Sequence, residues 1–156
     1  MKKNIFVTML LLALTATVAL SAGNQPVPFK LTDGGDLAFT SASSANLVGT
    51  GISSHTGKGV SSGVINVTGP ASSCPNGMAA KIDGALTAPT GDVIRYTVNQ
   101  QLCPSATAGI FVGIGSFTIT GGTGKFANAK GTGGFNGLGD FVGLKYQCTL
   151  DGTISY

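Results

Sequence analysis

The side chains able to do chemistry in this 156-residue chain are few: one histidine (His55), six aspartates, no glutamate, one arginine (Arg95) and three cysteines. His55 lies in His55-Thr-Gly-Lys-Gly59, which reads as a hairpin tip facing solvent. Neither a second histidine nor a glutamate exists to orient it as a base or to complete a metal site with it. Asp83, Arg95 and Tyr96 are the candidate catalytic groups. As a pair, Asp83 and Arg95 read either as an exposed cross-strand ion pair or as a polar pair in a barrel mouth. Tyr96 and Tyr146 are the candidate ligand contacts, because each is a polar-tipped ring on an apolar strand face. Cys148, between Tyr146 and Leu150 on such a face, reads as a small buried hydrophobe rather than a nucleophile, which would need a cation or base beside it. No metal-ligand cluster, paired-carboxylate motif or serine elbow occurs, and no cofactor is expected.

These groups are carried on strands. Val27, Phe29 and Leu31 alternate, Asp33-Gly-Gly-Asp36 predicts a turn, and Leu37 and Phe39 resume on the next strand. Ser41 to Asn46 reads as a loop or strand start, followed by strands over 47–53 and 60–68. After the loop Gly69 to Gly77, Met78, Ala80, Ile82, Gly84 and Leu86 share one face. A turn at Ala88-Pro-Thr-Gly91 then leads to Ile94, Tyr96, Val98 and Leu102 on the matching face. A short loop centred on Pro89 places Ile82 opposite Tyr96 and Asp83 opposite Arg95. The clearest strand is the last, with Leu144, Tyr146, Cys148, Leu150, Gly152, Ile154 and Tyr156 on one face, the length and pattern that close a barrel.

The same hairpin brings Cys74 and Cys103, each followed by proline, to its open end. In an oxidising compartment they are the natural disulfide, which by chain entropy contributes about 3 to 4 kcal/mol. Pairing of either with Cys148 is the alternative.

Gly115 to Phe135 forms a strand, a kinked corner at Gly121-Gly-Thr-Gly124, and a glycine-spaced strand. The spacing Gly122-x-Gly124-x-x-Ala127 matches a dinucleotide fingerprint, but the following glycines (Gly131, Gly133, Gly134, Gly137, Gly139) would each cost the required helix about 1 kcal/mol. A phosphate loop fails too, since Phe126 rather than Ser or Thr follows Lys125. The run Gly121-Gly-Thr-Gly-Lys-Phe-Ala-Asn-Ala-Lys-Gly131 instead resembles the glycine signature of dirigent proteins and is similar to the corresponding turn of allene oxide cyclases. Gly121, Gly122, Thr123, Gly124, Phe126, Ala129 and Gly131 fit it position by position, over about the last quarter of the chain. The resemblance implies an all-β fold, a single antiparallel barrel of about eight strands with an apolar interior, often a homo-oligomer. It also implies enzymes and guides that steer a reactive intermediate inside the lumen, with Gly121, Gly122 and Gly124 as the structural turn. The carboxylate of the cyclase pocket has no glutamate here to supply it.

Residues 1–23 read as a signal peptide: Lys2 and Lys3, an apolar run softened by threonines, and small residues at 19–23 for cleavage. They predict a periplasmic or extracellular protein whose residues 24–156 form one domain without a membrane span. That domain has seven basic residues against six aspartates, a balance that draws neither nucleic acid nor anionic membrane. Asn66-Val-Thr68 is a glycosylation sequon of consequence only in a eukaryotic secretory route. Three functions fit. The first is an exported barrel that holds a small apolar molecule. The second is an isomerase or cyclase-type enzyme or guide of a reactive intermediate. The third is a solid-cored envelope or surface protein.

Overall fold

The structure, a computed structural model, describes residues 25–156, so the leader predicted over residues 1–23 lies outside the described residues. Eight antiparallel strands follow one another round a closed barrel in chain order: β1 (Val27–Ser41), β2 (Ser44–Ser53), β3 (Gly57–Pro70), β4 (Met78–Thr87), β5 (Val93–Pro104), β6 (Ile110–Gly122), β7 (Lys130–Asp140) and β8 (Lys145–Ser155). β8 pairs with β1 from Val27↔Ile154 to Asp36↔Lys145, and this leaves no free edge. The single antiparallel barrel expected from the pattern is therefore present.

Alternation decides which residues face the lumen. On β5 the buried set is Ile94, Tyr96, Val98, Gln100 and Leu102, while Arg95 and Asn99 face out. Two sequence expectations are corrected. Asp33-Gly34-Gly35-Asp36 does not turn: β1 runs straight through it, and the reversal comes at Ser41–Ser44. Here the paired glycines serve close approach, since a Cβ on Gly35 would lie 2.2 Å from the Val48 carbonyl oxygen of β2. The β4–β5 register also differs by two residues. Ala88 and Asp92 close a loop centred on Thr90, with Gly91 at φ 89°, so Ile82 faces Val98, Asp83 faces Thr97 and Arg95 faces Ala85.

The antiparallel order puts the start of β1, the end of β8 and the β2–β3, β4–β5 and β6–β7 connections at one end, and the other four connections at the opposite end. The first end is plugged. The glycine corner, with Gly121 at φ 124° and Gly124 at φ 56°, leads into a short 3₁₀ turn, Gly124–Phe126, that drives Phe126 wholly into the core. Phe126 packs edge-on against Tyr156, Tyr156 against His55, and Phe29 lies between His55 and Phe117. His55 is thus half-buried rather than a solvated hairpin tip. Its Nε2 donates to the Pro28 carbonyl (2.8 Å) and its Nδ1 meets the Tyr156 hydroxyl (3.0 Å).

Candidate functional site

At mid-height the lumen changes character. Tyr146 of β8, Gly35 of β1, Gly49 of β2 and Ser61 of β3 form one row of directly paired residues. With no side chains on the two glycines, the tyrosine lies across them, and its hydroxyl reaches within 3.2 Å of Ser61 Oγ. A Cβ on Gly49 would sit 2.8 Å from that hydroxyl. Two residues before Gly35 on the same face, Asp33 points its carboxylate into this space at 5 % exposure. The Ser61 hydroxyl donates to Asp33 Oδ1 at 2.6 Å. Having given its proton to Asp33, Ser61 Oγ can accept from Tyr146, whose hydroxyl also lies 3.4 and 3.5 Å from the two carboxylate oxygens.

Above this floor is a cavity of about 40 Å³, enough for about three water-sized molecules. Leu37, Leu47, Ile65, Ile82, Val98, Leu102 and Phe135 make its walls. Tyr96 and Gln100 enter it from β5, and each is only 5 % exposed. Their room comes from glycines: a Cβ on Gly84 would meet the Tyr96 ring at 2.5 Å, and one on Gly113 would meet Gln100 Oε1 at 2.2 Å. The cavity reaches the surface beside the β7–β8 turn, where Leu138 and Gln147 are exposed and Phe141 packs between Phe39 and Phe111.

Burial, and then the negative charge of Asp33, raise the pKa of Tyr96 well above that of a free tyrosine. Burial likewise raises Tyr146, more than its hydrogen bond with Ser61 lowers it. The Cys148 thiol is pushed up to about 12 by burial and by Asp33. Asp33 is the one carboxylate among the residues lining the cavity.

No protein-family model, curated protein or solved structure matches this chain. What the site can do therefore rests on its own residues.

Of the residues singled out from sequence, Tyr96 and Tyr146 come together in the lumen and Cys148 lies beside them. Asp83 and Arg95 do not join them. Both are on the outer face, on the rim of a shallow concavity shared with Val48 and Val64. Asp83 pairs with Lys81 (3.0 Å), both half-exposed, a contact of small energetic consequence. Gly121, Gly122 and Gly124 form the structural turn at the plugged end. Cys74 and Cys103 form the disulfide at the cavity end, tying the β3–β4 loop to β5, and Cys148 is free. Among the described residues, no three His, Cys, Asp or Glu side chains group as metal ligands.

Asp33, Ser61 and Gln100 were not singled out from sequence. The signal for Asp33 was present: it is in phase with Phe29, Leu31 and Leu37, and only the assumed turn hid it. Gln100 is likewise in phase with Val98 and Leu102.

Proposed function

We propose that this chain is an exported barrel whose lumen holds a small, largely apolar molecule anchored by hydrogen bonds at the level of Asp33. The observation that carries the reading is an apolar cavity lined by four polar side chains from three strands: Asp33, Tyr96, Gln100 and Tyr146. A concave apolar site with a few convergent polar groups is the usual form of a small-molecule pocket. Export is supported by the leader-like residues 1–23 and by the Cys74–Cys103 disulfide, which persists in oxidising compartments. Among the described residues, no helix is long and apolar enough to cross a membrane. The outer wall carries Lys30, Lys81, Asp83, Arg95 and Asp151 among exposed apolar residues such as Val48, Ile52, Val60 and Ile114.

Native mass spectrometry of the mature protein from its own host tests the reading. A co-purifying small molecule, lost on Gln100→Leu, is the expected result. An empty protein that also fails to bind apolar fluorescent dyes would point instead to a filled barrel with a structural or surface role.

The resemblance to dirigent proteins and allene oxide cyclases gives a second reading, a guide or cyclase acting on a reactive intermediate. One observation favours it: the lumen does contain a carboxylate, Asp33, flanked by two tyrosines. Loss of turnover in Asp33→Asn, with binding retained, would separate it from simple binding.

A further inference from the structure

We infer that the lumenal site takes a small organic cation, a primary or substituted amine whose ammonium group meets Asp33 and whose hydrocarbon runs toward the β7–β8 turn. This rests on the lumen being a binding site and specifies what enters it. The residues lining the cavity include one carboxylate and no lysine, arginine or histidine. The side-chain donors that reach Asp33, Ser61 and Tyr146, are neutral hydroxyls. A buried carboxylate held only by neutral donors lacks the countercharge that buried ions normally have, and a cationic ligand brings it.

The rest of the wall suits the same chemistry. Tyr96, Tyr146, Phe135 and Phe141 present aromatic rings to the cavity, whose negative faces attract an ammonium. Tyr96 and Gln100 offer acceptor oxygens to the remaining N–H donors of the ligand. Asp33 is the one acidic side chain among the residues that line the cavity, so a ligand cation has a single carboxylate to meet. The enclosed volume of about 40 Å³ limits the fully buried part to a few heavy atoms, and the opening beside Leu138 admits an apolar extension.

The test is an amide NMR titration of the purified protein with three probes of nearly equal shape: n-butylamine, 1-butanol and butyrate. The expected result is that butylamine binds at least tenfold more tightly than butanol and butyrate least of all, with shifts centred on Asp33, Gln100 and Tyr146. Asp33→Asn should reduce butylamine to the affinity of butanol. Equal or tighter binding of butanol at the same residues would overturn the cation while leaving a lumenal binding site. Absence of binding by all three, or shifts confined to the outer wall, would overturn both. Should Asp33→Asn fail to fold, the ranking of the three probes on the unaltered protein decides the matter.

Discussion

Ser61 Oγ donates a 2.6 Å hydrogen bond to Asp33 Oδ1 although their strands, β3 and β1, are not neighbours in the barrel. The bond passes over β2, where Gly49 leaves the space open. It is the shortest contact the carboxylate makes, the tyrosine hydroxyl being 3.4 Å away. Ser61→Ala should therefore cost about 1 to 3 kcal/mol, the penalty of leaving a buried acceptor short of a donor. Urea unfolding at pH 7 measures it through a lower midpoint at unchanged slope. A cost near zero would mean that Tyr146 alone satisfies Asp33.

The row Tyr146, Gly35, Gly49, Ser61 makes a second expectation. A methyl group on Gly49 would lie 2.3 Å from the Gly34 carbonyl oxygen and 2.8 Å from the Tyr146 hydroxyl. The first of these is backbone and has little room to move. Gly49→Ala should destabilise by about 1 to 3 kcal/mol through overpacking. It should also push the phenol off Ser61, visible as a shifted Tyr146 ring resonance. Were the resonance unmoved, the glycines would not be what seats the tyrosine.

How much of this was readable beforehand depended on whether alternation and turn chemistry agreed. On β5 and β8 they agreed, and Tyr96 and Tyr146 were placed correctly on apolar faces. At Gly34-Gly35 they conflicted. Glycine pairs flanked by aspartates usually mark a turn, yet here Gly35 packs closely on β2 and Gly34 on β8, and the strand continues. On β3 the hydrophobic signal is divided: Val60 and Val64 face outward, while Gly59, Ser61 and Gly63 share the inner face with Ile65. Small inward residues there make room for side chains from distant strands, which no local pattern reveals. The Asp83–Arg95 pairing depended on where the loop is centred, and a shift of one residue, from Pro89 to Thr90, moved the register by two and separated the two groups.

The disulfide closes a loop of 29 residues and ties the β3–β4 loop to β5. Replacing both cysteines by alanine should cost about 3 to 4 kcal/mol by the chain-entropy estimate. Urea unfolding of the oxidised protein and the double variant checks it. A loss under about 1 kcal/mol would mean that compact states of the unfolded chain already hold this loop nearly closed.

Alkaline pH should act through Cys148 and Tyr146. Both bind their protons more tightly in the folded protein, where burial penalises the anion. As pH rises the unfolded chain loses these protons first, so stability is complete below about pH 9 and falls as pH climbs toward 12. For each such group the fall is at most about 1.4 kcal/mol per pH unit. Urea midpoints at pH 8, 10 and 11 should decline, and Cys148→Ala should decline less. In the same way the native thiol should react with iodoacetamide at pH 8 about a thousandfold more slowly than a free cysteine. Fast alkylation would show that the thiol is not held protonated in the lumen.

Phe126 tests whether the two ends of the barrel have separate tasks. It is fully buried under Tyr156 at the plugged end, while the cavity at the other end is lined by none of the plug residues. Phe126→Ala should remove about 3 to 5 kcal/mol of stability, since the closed barrel around it can collapse only partly into the vacated space. Binding at the cavity end should meanwhile stay within about twofold, because every residue that lines the cavity stays in place. Urea unfolding and a butylamine titration at low temperature measure the two quantities on one variant. Stability lost with binding kept is the expected outcome. Loss of both in a protein that is still folded would mean that packing at the plug sets the shape of the lumen throughout its length, because the strands carry the displacement from one end to the other.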